Sequence, residues 1–203
     1  SRTSPENGYD LQVLTDVGVL GKSQDGRSYD FFRDRVMFPF YDVSGRTIAF
    51  SGRIVTPNDN AGKYVNTGET PIFRKGQHIF GLYQAKRAIA KEGFAYLVEG
   101  QFDVITLHKY GVENVIGGSG TAFTDDQVRL IMRFTQSVVM IYDADDAGMK
   151  AAVKNCELLL KAGASYYGGY LLPYPPGWSF SYRSLWPWSS DIRDGALHPV
   201  RRL

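Results

Sequence analysis

The stretch that decides the fold runs from residue 94 to residue 163. It reads FAYLVEGQFDVITLHKYG (94–111), then NVIGGSGTAFTDDQVRLIMRF (114–134), then SVVMIYDADDAGMKAAVKNCELLLKAG (137–163). Three short apolar runs, AYLV, NVIGG and SVVMIYD, each precede an amphipathic segment. Apolar runs of this length with no polar alternation are buried on both faces, as strands of a parallel sheet are. The intervening segments have helical spacing and helical stop signals: Gly111 closes the first, Thr124 offers an N-cap for the second, and Gly163 ends the third. Strand-helix alternation of this kind predicts an α/β fold, a parallel sheet flanked by helices.

Working outward, the preceding residues have a different grammar. FFRDRVMFPFYDVSGRTIAFSGRIV (31–55) alternates, turns at DVSGRT and alternates again, which predicts a β-hairpin. Residues 57–81 are rich in Pro, Asn and Gly and read as loop, and 82–92 as helix. The expected organisation is an α+β N-terminal subdomain over 1–93 and a parallel-sheet domain over 94–164. Residues 165–203 form an anomalous tail that holds all three Trp and five of the nine Pro, with no trusted period.

Charge divides along the same line. The 203-residue chain has a net charge of +2, which by itself argues against a polyanionic partner. The sum hides a segregation: residues 22–91 carry 12 Lys and Arg against 6 Asp and Glu, whereas 92–146 carry 3 against 9. A single cysteine, Cys156, excludes an internal disulfide, and three scattered histidines make a zinc site unexpected. No apolar run approaches the roughly 20 residues that span a bilayer, and no signal-peptide pattern opens the chain.

The acidic block has an order. Glu99 follows the first strand in V-E-G, and Asp143 and Asp145 follow the third in D-A-D. Ligands of open α/β sheets gather beyond the carboxyl ends of the strands, so these carboxylates are placed to share a hard divalent cation. Asp103, four residues past Glu99, is a further candidate. Capping of the next helix is the competing explanation for Asp143 and Asp145. Gly117, Gly118, Gly120 and Thr121 form a Gly-rich strand exit able to offer backbone N–H groups to phosphate. In the basic block, Arg33, Arg35, Arg46, Arg53, Lys63, Arg74 and Lys75 are interleaved with Tyr64, Phe73 and Phe80, a composition suited to a single-stranded backbone and stacked bases. If FRDRV is extended, Arg33 and Arg35 share one face.

These residues carry a resemblance. The E-G…D-x-D pattern on successive strand-helix units resembles the Toprim fold of topoisomerases, primases and related nucleases. FFRDRVMFPFYDVSGRTIAFSGRIV, KYVNTGETPIFRKGQHIFGL, LVEGQFDVITLHKYG, GSGTAFTDDQ and IYDADDAGMKAA resemble, in order, the catalytic core of bacterial DNA primase over about residues 6–164. The resemblance implies a nucleotidyltransferase, a DNA-directed RNA polymerase that makes short RNA primers on a single-stranded DNA template from NTPs. It implies that Glu99, Asp103, Asp143 and Asp145 bind Mg²⁺ or Mn²⁺. It further implies that Arg33, Arg35, Arg53, Lys63, Tyr64 and Lys75 contact template or nucleotide phosphates. The replicative helicase and a single-strand-binding protein are implied partners, and the cytoplasmic replisome the implied location. A Toprim nuclease or topoisomerase-like protein, or a non-catalytic single-strand-binding module, are the competing functions.

Two departures stand out. Where many primases read Asp-Gly-Asp-Arg-Ala-Gly, this chain has Asp143-Ala144-Asp145-Asp146-Ala147-Gly148, with an added negative charge. The family's L-P-D-G-x-D-P-D acids are replaced by LLPYPPGWSF (171–180). The family's zinc-binding and helicase-interaction domains are not in the chain. It therefore reads as a core fragment with a frame change or unrelated terminus after about Ala164, and as impaired in activity.

Overall fold

A computed structural model describes residues 8–56, 62–118, 123–143 and 145–171. The chain divides into two compact units, residues 1–83 and 84–203.

In the first unit, a short helix α1 (Leu11–Asp16) leads into an antiparallel ribbon of β1 (Leu20–Lys22) and β2 (Ser28–Asp30). The hairpin expected from the alternation is present as β3 (Arg35–Tyr41) and β4 (Thr47–Ile54), joined through the Asp42–Arg46 turn; β5 (Tyr64–Asn66) completes an antiparallel sheet of order β3-β4-β5. Asp42 makes that turn: one carboxylate oxygen accepts from the N–H groups of Ser44 and Arg46, and the other accepts from the Arg46 Nε. Phe40 is the centre of this core, with the rings of Phe73 and Phe80 at 5.5 and 5.2 Å. Lys75–Gln77 form a single 3₁₀ turn.

One expectation fails here. FRDRV is not extended: residues 31–34 are a turn, Asp34 is left-handed at φ 53°, and β3 begins only at Arg35. An aspartate tolerates that conformation better than most residues. Arg33 and Arg35 therefore do not share a strand face.

The second unit is the α/β fold. After α2 (Leu82–Glu92) come β6 (Ala95–Val98), α3 (Gln101–Lys109), β7 (Val115–Gly117), α4 (Asp125–Met132), β8 (Ser137–Asp143), α5 (Asp146–Lys161) and β9 (Ser165–Leu171). The four strands pair in parallel in the order β7-β6-β8-β9. Ala95, Leu97, Val115, Ile116 and Val138 are fully buried, as the unbroken apolar runs require. Helices close as expected: Thr124 and Gln127 exchange side-chain and backbone bonds in a capping box, and Gly111 and Gly163 take left-handed conformations.

Residues 165–203 are expected as one anomalous tail, and the structure differs over the first seven of them. Residues 165–171 are a strand paired along its whole length with β8, from Ser137↔Ser165 to Asp143↔Leu171. Backbone pairing to a central strand holds SYYGGYL in the sheet although its side-chain pattern does not announce a strand. The rest of that stretch, residues 172–203, lies outside the described residues. Among those described, no helix is long and apolar enough to cross a membrane.

Candidate functional site

The strand order fixes where a site can form. From β6 the chain moves to β7 on one side, then crosses back to β8 on the other. The order reverses between β6 and β8, and the crevice beyond their carboxyl ends is the topological switch point. Glu99 is the residue after β6, and Asp143 is the last of β8. They meet: Glu99 Oε1 accepts a 2.9 Å hydrogen bond from the Asp143 N–H.

The other two carboxylates are held from their own helices. Asp103 reaches back from the first turn of α3 to accept from the Gly100 N–H at 2.9 Å. Asp145 is the N-cap of α5, its Oδ1 accepting from the Gly148 N–H at 2.7 Å. The capping explanation thus holds for Asp145, while Asp143 stays on its strand. Each of Glu99, Asp103 and Asp145 accepts one backbone N–H. Among the described residues, no three such side chains close into a ready-made coordination shell.

Gly148 makes the close approach possible. A Cβ there would lie 2.2 Å from the Asp143 carbonyl oxygen and 2.7 Å from Glu99 Oε1. Gly117 serves the opposite side: a Cβ there would stand 2.8 Å from Val104 Cγ2 and 3.2 Å from the Gly100 oxygen.

The carboxylates shift one another's titration. Burial pushes the Glu99 carboxyl above its ordinary value against the hydrogen bond from Asp143, and the charges of Asp143, Asp145 and Asp103 push the same way. Asp103 is also raised, chiefly by burial, with Asp143 contributing. None of the four is in an ion pair with a Lys or Arg among the described residues. Hard oxygen donors with no Lys or Arg partner among the described residues, beside a glycine that lets Glu99 Oε1 approach α5, are of the type that suits a divalent cation.

A buried network behind the site was not anticipated. Asn155, on the inner face of α5, donates to the Tyr142 hydroxyl at 2.7 Å and accepts from the Phe123 N–H at 3.2 Å. Burial pushes the Tyr142 phenol up to about 12. The signal was legible: Gly148, Ala152, Asn155 and Leu159 follow a helical stripe, and an Asn in such a stripe is buried and needs partners. The Gly-rich exit gives less than expected, because the Gly118 N–H is spent on the Val98 carbonyl at 3.1 Å. Gly120 and Thr121 lie outside the described residues.

In the first unit the basic residues separate into distinct arrangements. Arg53 and Tyr64 are register partners on β4 and β5, the guanidinium 5.7 Å from the ring centroid and Nη1 3.4 Å from the hydroxyl. Arg33 stands 5.5 Å from the Tyr29 ring centroid. Lys63 immediately precedes β5, and Lys75 opens the 3₁₀ turn, where its N–H donates to Glu69 Oε1. Arg35 is turned inward onto backbone carbonyls.

A reversed parallel sheet with a glutamate after its first strand and D-x-D after its third defines a Toprim-like domain, and residues 96–170 match that family's model. Residues 1–86 match the model of the DNA primase catalytic core, N-terminal domain. The chain belongs to the family of bacterial DNA primase catalytic cores. It is 46% identical to the DNA primase of Aquifex aeolicus over 161 residues, 79% of this chain and 32% of the relative. A crystal structure of the zinc-binding and RNA polymerase domains of the Aquifex aeolicus primase superposes with a TM-score of 0.75 at 41% identity, covering 83% of this chain and 41% of that one. A DnaG primase catalytic domain bound to single-stranded DNA gives 0.73 at 38% identity, covering 85% and 53%. The chain thus spans about a third or less of the length of such curated relatives, 32% of one and 26% of another.

Proposed function

We propose that this chain carries the template-binding and metal-binding portions of a primase, an RNA polymerase that extends short primers on single-stranded DNA. The observation that carries the reading is the junction of Glu99 with Asp143 at the switch point, with Asp103 and Asp145 near enough to raise the Glu99 carboxyl. Glu99, Asp143 and Asp145, with Asp103 behind them, would hold Mg²⁺ or Mn²⁺, and the ion would supply charge neutralisation at the nucleotide phosphates. The reaction joins a primer 3′-oxygen to the α-phosphorus of an NTP and releases pyrophosphate. Glu99 keeps the end of β8 in place through its bond to the Asp143 N–H, so Asp143 is presented from a strand end, while Asp145 is fixed as the N-cap of α5. Arg33, Arg53, Lys63, Tyr64 and Lys75 supply the cations and ring faces for a single strand. The replicative helicase and a single-strand-binding protein, at the cytoplasmic replisome, are the further partners of this reading.

The test is primer synthesis by the full chain on single-stranded DNA with NTPs and Mg²⁺ or Mn²⁺, compared with Glu99→Gln. Loss of synthesis in the variant is expected; an active preparation indifferent to that change would remove the metal assignment. The Arg53–Tyr64 and Arg33–Tyr29 pairs favour a second reading, a single-strand-binding module without catalysis. Binding that persists in EDTA, falls steeply with salt and is accompanied by no NTP incorporation would select it.

A further inference from the structure

Arg35 is among the basic residues expected to touch template, yet its guanidinium faces the protein's own backbone. Nη1 donates to the Gly52 carbonyl at 3.0 Å and to the Lys63 carbonyl at 3.4 Å, and Nη2 donates to the Gly62 carbonyl at 2.9 Å. The three acceptors belong to β4 and to the segment that enters β5. From the far strand of the sheet, Arg35 thus crosses β4 and grips the residues just before Tyr64.

The path it takes is cleared by Gly52. A Cβ at that position would lie 2.9 Å from the Arg35 Cδ, 3.2 Å from its Cβ and 2.7 Å from the Phe32 Cδ1. In S-G-R, the glycine is what lets an arginine stem run across the strand. The Lys63 carbonyl also accepts from the Ile54 N–H at 3.1 Å, so the β5 entrance is attached twice at one residue. An arginine suits this work because its planar fork reaches two or more carbonyls at fixed angles; a lysine ammonium carries its three donors on one nitrogen at the end of a flexible stem.

We infer that Arg35 is a positioning residue that fixes the Gly62–Tyr64 segment, so that Lys63 and Tyr64 are held for single-stranded DNA, and that it is not itself a phosphate contact. The inference rests on the proposed role of Lys63 and Tyr64 at template, and it separates two basic residues that the sequence pattern treats alike. β5 is only three residues long, with its ladder to β4 covering Ser51↔Asn66 to Arg53↔Tyr64. So short an edge strand frays at its entrance unless something beyond the ladder ties it.

The experiment measures the affinity of the full chain for a labelled oligothymidylate by fluorescence anisotropy across a salt series. It compares the wild type, Arg35→Lys, Lys63→Ala and the Arg35→Lys/Lys63→Ala double variant. Amide hydrogen exchange over residues 62–66 is followed in parallel, and far-UV circular dichroism checks that each variant folds. On single strands each phosphate contact contributes a slope of about 0.7 to log affinity against log salt. If Arg35 positions Lys63, Arg35→Lys loses that single contact although it keeps the charge. The slope then falls by about 0.7 in both single variants and falls no further in the double. Exchange over 62–66 rises at least about tenfold in Arg35→Lys.

A wild-type slope in Arg35→Lys, together with a loss in Lys63→Ala, would make Arg35 a charge contact and overturn the inference. Unchanged exchange over 62–66 in Arg35→Lys would overturn the grip itself, whatever the DNA does. Unchanged affinity in Lys63→Ala would instead overturn the template reading on which the inference rests, and its functional half with it.

Discussion

Gly148 sets two physical effects against each other with opposite signs. It is the third residue of α5, inside a helix, where replacement by alanine ordinarily stabilises by about 1 kcal/mol through backbone entropy and propensity. The structure predicts the reverse. The added Cβ would lie 2.2 Å from the Asp143 carbonyl oxygen and 2.7 Å from Glu99 Oε1. Restoring normal contact requires a shift of about 1 Å. The oxygen in the way belongs to Asp143 at the end of β8, where the ladder to β9 continues (Asp143↔Leu171), that to β6 has ended at Ile141, and the Asp143 N–H is held by Glu99 Oε1. That backbone is not free to retreat, so Gly148→Ala is expected to destabilise by about 1–3 kcal/mol, as overpacking in a closed site does. The same shift moves Asp143 and Glu99 relative to each other, and primer synthesis should fall by about 100-fold, the usual consequence of misplacing reacting groups by an ångström. Urea unfolding gives the stability, and the rise in melting temperature on adding Mn²⁺ gives the integrity of the carboxylate site. A Gly148→Ala protein that is more stable than the wild type by about 1 kcal/mol, with an undiminished Mn²⁺ response, would refute the reasoning.

Three further outcomes are expected. Glu99→Gln keeps an acceptor for the Asp143 N–H but removes a charge that burial and three aspartates disfavour; in EDTA at neutral pH it should be more stable than the wild type. Because the folded Glu99 carboxyl titrates above its ordinary 4.5, protonation relieves the wild type as pH falls through the raised value, so urea unfolding should show this advantage shrinking on acidification; an advantage that grows in acid would show the sign to be wrong. Asn155→Leu strands the Tyr142 hydroxyl and the Phe123 N–H in the interior and should cost about 2–5 kcal/mol by urea unfolding, against about 1 kcal/mol for Tyr142→Phe; equal small losses would mean that the network is not what holds α5 to β8. Asp145→Asn preserves the N-cap and should leave stability within about 0.5 kcal/mol, whereas Asp145→Ala should lose about 1 kcal/mol; both should lose most of the Mn²⁺-induced rise in melting temperature, and retention of that rise in either would take Asp145 out of the metal set.

The division of labour between sequence and tertiary structure is visible residue by residue. The apolar runs of 95–98, 115–117 and 137–143, their helical partners and their caps follow from local rules, because burial on both faces and hydrogen-bond capping leave a chain few options. Glu99, Asp143 and Asp145 were legible as a group for the same reason: each stands at a strand end or helix start, and such ends converge in an open parallel sheet. The sequence alone therefore determined the α/β class, the place of the acidic cluster and the family.

Other features depended on which atoms meet across the chain. Gly148 reads as a tight exit, but its necessity comes from an oxygen on another element, and Asn155 finds its partners on β8 and ahead of α4. FRDRV has the alternation of a strand and breaks it at Asp34, because the turn that feeds β3 requires a left-handed residue there. SYYGGYL lacks a strand pattern and is one, because β8 offers it a complete ladder. Arg35 and Lys63 are both cations in a basic stretch, and periodicity cannot tell them apart. Only the fold decides that one guanidinium is turned onto three carbonyls, because charge type is local while the direction a long side chain takes is set by the backbone it can reach.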